Sequence, residues 1–96
     1  MYGVVRTKLF EKSFRKLKES GALKSGTKKD LELMIAMLTQ SKILPVSRMD
    51  HQLHGKLQKY RECHIKGNLL LEYERRDDKR IIILVDIGTH TYLFGD

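Results

Sequence analysis

Apolar residues recur with two different periods along this chain, and the change of period divides it. Met1 to Arg6 sets Tyr2, Val4 and Val5 around Gly3, a β-branched and aromatic mix that predicts a short first strand. Thr7 can cap a helix. Phe10, Phe14 and Leu17 then follow at i, i+4 and i+7 and share one helical face, while Lys8, Lys12, Arg15, Lys16 and Lys18 cover much of the remainder. Ser20-Gly21 supplies a stop, because glycine accepts positive φ. Ala22 to Gly26 reads as a loop. A second helix is expected from about Thr27 to Gln40, with Leu31, Met34, Ile35 and Leu38 as its buried stripe and Met37 beside it. The short link makes the two helices an antiparallel hairpin whose stripes pack on a sheet.

Pro45 closes this half, since a helix cannot easily run through it. Asp50 to Gly55 reads as a loop or a short helical turn. From Lys59 the period becomes two: Arg61, Cys63 and Ile65 alternate with Tyr60, Glu62 and His64. Gly67-Asn68 has the chemistry of a tight hairpin turn, and Leu69 to Arg75 is the return strand. Asp77-Asp78 makes a second turn. Arg80 to Ile87 is apolar on both faces and is therefore an interior strand, ended by Gly88 and followed by a tail from Thr89 to Phe94. The order β-α-α-β-β-β predicts an α+β fold: a helical hairpin covers one face of a mainly antiparallel sheet and leaves the other partly open.

Length and composition narrow the picture. The chain has 96 residues, enough for one domain spanning residues 1–96 with a modest core. At 41% hydrophobic and 32% charged it is an ordinary globular sequence. A single cysteine forms no internal disulfide, and no apolar run approaches the ~20 residues that span a bilayer, so a cytoplasmic protein without membrane attachment is expected. The net charge of +7 and a pI near 9.7 favour a polyanionic partner such as nucleic acid or an acidic protein.

Three of the four histidines and the only cysteine lie between Asp50 and His64, and His90 stands near the C-terminus. Histidine transfers protons near neutral pH, which suits cleavage of RNA: one group takes the ribose 2′-OH proton and another protonates the leaving 5′-oxygen. His51, His64 and His90 are the candidates. Lys56, Lys59, Arg61 and Lys66 can hold phosphates, and Phe94, Tyr60 and Tyr92 can stack on an unpaired base. Each residue also has a plain structural use, as an amphipathic strand face, a solvated rim or a plug at the sheet end. A zinc site is the weaker alternative, because no CxxC or HExxH spacing accompanies the histidines. Cys63 falls on the strand face opposite His64, so it is read as packing rather than as a nucleophile.

The runs Asp50-His51-Gln52-Leu53-His54-Gly55, Tyr60-Arg61-Glu62-Cys63-His64 and Gly88-Thr89-His90-Thr91-Tyr92-Leu93-Phe94-Gly95 resemble the YafQ-type branch of the RelE/ParE toxin superfamily. The resemblance implies a RelE-like fold and a metal-independent, cofactor-free endoribonuclease that cuts mRNA in the ribosomal A site. It also implies a cognate antitoxin, acidic and DNA-binding. It assigns cleavage to His51, His64 and His90, and base contact to Phe94. One departure stands out. Where related toxins carry an Asp-Trp pair after the hairpin, this chain has Asn68 and Leu69, so Asn68 can contact substrate but cannot act as a base. A toxin of the superfamily that blocks its target without cleavage, or a basic RNA-binding module, is the competing reading.

Overall fold

The computed structural model describes residues 1–95. Its elements run β1 (Gly3–Arg6), α1 (Lys8–Glu19), α2 (Ser25–Thr39), β2 (His51–Gln52), β3 (Arg61–Lys66), β4 (Leu69–Arg76), β5 (Ile81–Thr89) and α3 (His90–Phe94), with short 3-10 turns at Val46–Arg48 and Gly55–Leu57. The strands form one sheet in the order β1-β5-β4-β3-β2. Only the β1–β5 pair is parallel, and the other pairs are antiparallel.

The first half follows the apolar pattern closely. Thr7 caps α1, its hydroxyl accepting from the Phe10 N–H at 3.0 Å. The same hydroxyl donates to the Val85 carbonyl at 2.8 Å and so fixes the start of α1 to β5. Phe10, Leu31, Met34, Leu38 and Leu44 are buried with Cys63, Ile65, Leu69, Leu71, Tyr73, Ile82, Leu84 and Ile87 in one core. Phe14, Leu17 and Ile35 pack against its margin. The helices share this core over different strands: α1 packs on β5, and α2 mainly on β3.

Three boundaries differ from expectation. Asp50 to Gly55 is not simply a loop, because His51–Gln52 pairs with Glu62 and Arg61 as a two-residue edge strand. Gly88 does not end β5: the strand runs to Thr89, which then caps α3 by accepting from the Tyr92 N–H at 3.1 Å. The tail is thus a short helix. α2 also begins two residues earlier than expected, at Ser25. Among the described residues no helix is long and apolar enough to cross a membrane.

Candidate active site

Alternation along β3 separates two faces. Cys63 and Ile65 enter the core against the helices, whereas Glu62 and His64 turn to the opposite face. Pairing carries that second face across the sheet. His51 lies opposite Glu62, Glu62 opposite Glu72, and Glu72 opposite Asp86. The next row runs from His64 to Leu70 to Gly88. His51 and His64 therefore occupy neighbouring rows of one face, a diagonal of about 7–8 Å between Cα positions.

His51 is exposed but held. Its Nδ1 lies 2.7 Å from the Met49 carbonyl oxygen, which can only accept, so Nδ1 carries the hydrogen. Its Nε2 is left beside Glu62, 3.8 Å from Oε1. His64 is half-buried in mid-strand. His90 opens α3 at the end of β5, and its ring lies 5.2 Å from that of Phe94, one helical turn on. The sheet thus gathers His51 and His64 closely. His90 follows two residues after Gly88, which lies two strands from His64, roughly 10 Å at ordinary strand spacing.

The remaining candidates divide. Arg61 alternates with Glu62 and His64 and takes the other face. There its Nε donates to Asp50 at 3.3 Å, and the buried Tyr73 hydroxyl donates to the same oxygen at 2.6 Å. The Arg61 guanidinium is committed to this network rather than to the histidines. The Lys66 ammonium reaches toward the first turn of α2, 3.6 Å from where a Cβ on Gly26 would stand. Lys56 is exposed in the Gly55–Leu57 turn. Asn68 is exposed in the β3–β4 hairpin beside Gly67, whose φ of +58° suits glycine. His54 is exposed and away from the row. Among the described residues no three His, Cys, Asp or Glu side chains converge as ligands for a metal ion.

Two residues of this face were not anticipated as part of a site. Glu72 interrupts the apolar run of β4, and Asp86 that of β5. With Glu62 they form a row of three buried carboxylates in a basic protein. Burial raises the Glu72 pKa from its ordinary value, and the charges of Asp86 and Glu62 add to the effect. A lone acid inside an apolar strand was the available signal, but only pairing aligns the three.

Comparison with known proteins bears on the family and the fold. Residues 2–95 match the family described as the bacterial toxin of type II toxin–antitoxin systems, YafQ. The mRNA interferase toxin YafQ of Escherichia coli K12 is 32% identical over 63 residues, 66% of each chain. A copper-bound mutant toxin from Helicobacter pylori is 34% identical, with a TM-score of 0.86 over 98% of this chain and 100% of its own. The Escherichia coli DinJ–YafQ complex contains a chain of the same fold, with a TM-score of 0.83 at 23% identity over 99% of this chain and 100% of that one.

Proposed function

We infer the activity of this chain from one premise: it belongs to the YafQ family of toxins of bacterial type II toxin–antitoxin systems. On that basis the protein is an endoribonuclease that cuts mRNA, as the name of its Escherichia coli relative describes for that protein. The observation that carries the reading is the register of β2 on β3, which sets His51 and His64 on one face in neighbouring rows.

Cleavage proceeds by transesterification. A base removes the ribose 2′-OH proton, the 2′-oxygen attacks phosphorus, and the bond to the 5′-oxygen breaks as an acid protonates that oxygen. The products are a 2′,3′-cyclic phosphate and a 5′-hydroxyl. His51 and His64 are the proton-transfer pair, with Nε2 the reactive atom of His51 because Nδ1 is bonded to Met49. His90 contributes a further imidazole at the phosphate, and Phe94 beside it stacks on a base. Lys56 and Asn68, both exposed, are available for backbone contacts. Arg61 is assigned to holding Asp50, the residue before His51.

The substrate is mRNA in the ribosomal A site, as the family resemblance implies, and the setting is cytoplasmic. The inhibiting partner is a cognate antitoxin, in keeping with the complex of DinJ with YafQ. An acidic antitoxin suits the charge of +7.

The test is to incubate the purified protein with programmed ribosomes and map mRNA ends. Wild type cuts, and His64→Ala and His90→Ala, folded by circular dichroism, each lose about 100-fold or more in rate. Intact mRNA with folded wild type, or undiminished cutting by both variants, rejects the reading.

A further inference from the structure

We propose that Tyr92 is a positioning residue, which with Ser13 and Gly88 clamps α3 against α1 and β5 and thereby fixes His90 and Phe94. The proposal rests on the reading that His90 takes part in cleavage.

α3 has five residues, and none of them is buried. A helix this short has no stability of its own, because nucleation costs more than one turn of hydrogen bonds returns. Something outside the helix must set its direction. Its cap, Thr89, fixes where the helix begins but leaves its far end free to swing.

Tyr92 supplies the missing constraint at two points. Its ring lies on the α-carbon of Gly88: a Cβ there would stand 2.4 Å from Cδ2 and 3.1 Å from Cγ. Its hydroxyl lies 2.9 Å from Ser13 Oγ on α1, across 79 positions of sequence. Ser13 is 1% exposed, and Tyr92 is the only hydrogen-bond partner found for its hydroxyl among the described residues. A buried hydroxyl without a partner is costly, so Ser13 draws the tyrosine to it. α1 is itself anchored to β5 through Thr7, whose N–H donates to the Leu84 carbonyl and whose hydroxyl donates to that of Val85. The clamp therefore ends on a fixed element.

Helical geometry connects the clamp to the site. Residues four apart share a helix face, and residues two apart point to opposite sides. His90 and Phe94 are four apart and their rings meet. Tyr92 is two from each, so anchoring its side turns the other two the opposite way.

The test compares Tyr92→Phe, Ser13→Ala and the double variant with wild type. Phenylalanine keeps the ring on Gly88 and removes only the hydroxyl. Two readouts are taken: amide hydrogen exchange of α3 against β5, and kcat and KM separately. The expected result is faster exchange at positions 92 and 93, unchanged exchange in β5, and a fall of about ten- to a hundredfold in kcat, larger than the rise in KM that loosening Phe94 brings. The double variant should be no worse than either single one, since both remove one bond. Wild-type exchange in Tyr92→Phe overturns the clamp. Faster exchange with unchanged kcat in a cleaving protein overturns its role in positioning. Should wild type itself not cleave, the ribonuclease reading and the role of His90 fall together, whereas the exchange data still decide the clamp.

Discussion

Replacing Glu72 with glutamine should stabilise this protein at neutral and alkaline pH. Glu72 is 7% exposed at the centre of β4, directly opposite Glu62 on one side and Asp86 on the other. One of its neighbours has compensation: Asp86 accepts from the Ile87 N–H at 2.8 Å, whereas Glu62 has only His51 Nε2 at 3.8 Å, an ion pair solely when that imidazole is protonated. No hydrogen bond or ion pair is found for the Glu72 carboxylate among the described residues. Like charges directly opposite across a ladder are destabilising, on a scale of ~0.2–1 kcal/mol per pair, so two pairs set the penalty at up to about 2 kcal/mol. The pH dependence follows from the raised pKa. Between the ordinary carboxylate value of 4.5 and the raised folded value, the native state binds more protons than the unfolded chain. Stability therefore falls as pH rises through that window, and the penalty persists in full above it. Below the window both states are protonated and the penalty vanishes. Urea unfolding near pH 4 and near pH 8 measures both limits. The two proteins should match at the lower pH, and Glu72→Gln should be the more stable at the higher. A variant equal to or weaker than wild type near pH 8 refutes the reasoning.

Two buried side chains on the core face of the sheet give sharper checks on packing. Burial pushes the Cys63 thiol up to about 12, so near pH 8 only about one part in 10⁴ is thiolate. Native protein should resist a thiol reagent that labels the urea-unfolded chain at once, and rapid native labelling would contradict the burial. Tyr73→Phe removes the donor 2.6 Å from Asp50 and leaves that carboxylate to Arg61 alone. Loss of such a bond should lower stability by about 1–2 kcal/mol, and an unmoved urea midpoint would count against it.

Much of this fold was legible because its longer elements have strong periods. Phe10, Leu31, Met34 and Leu38 entered the core as their spacing required, and Thr7 capped the helix it precedes. The opposite directions of Cys63 and His64 also followed from alternation alone. What escaped was short. β2 has two residues and exists only because β3 offers it a partner, and α3 is too brief for a helical period to register. The site was legible as residue types and as one strand face, but Arg61 shows the limit. Its charge suggested phosphate binding, whereas its position in the alternation committed it to Asp50 behind the sheet.

Which residues each element could bury, the turn chemistry between strands, the basic charge and the three candidate histidines were therefore all readable along the chain. Tertiary structure decided what faces what. The pairing of β4 with β5 shifts between Glu72 and Tyr73, so that Asp86 rather than Val85 stands opposite Glu72. Without that irregularity the carboxylate row would be broken, because side chains alternate with a period of two and a one-residue slip sends each to the other face. Register is a property of two strands together, set by their shared core and turns, and no single stretch of chain carries it.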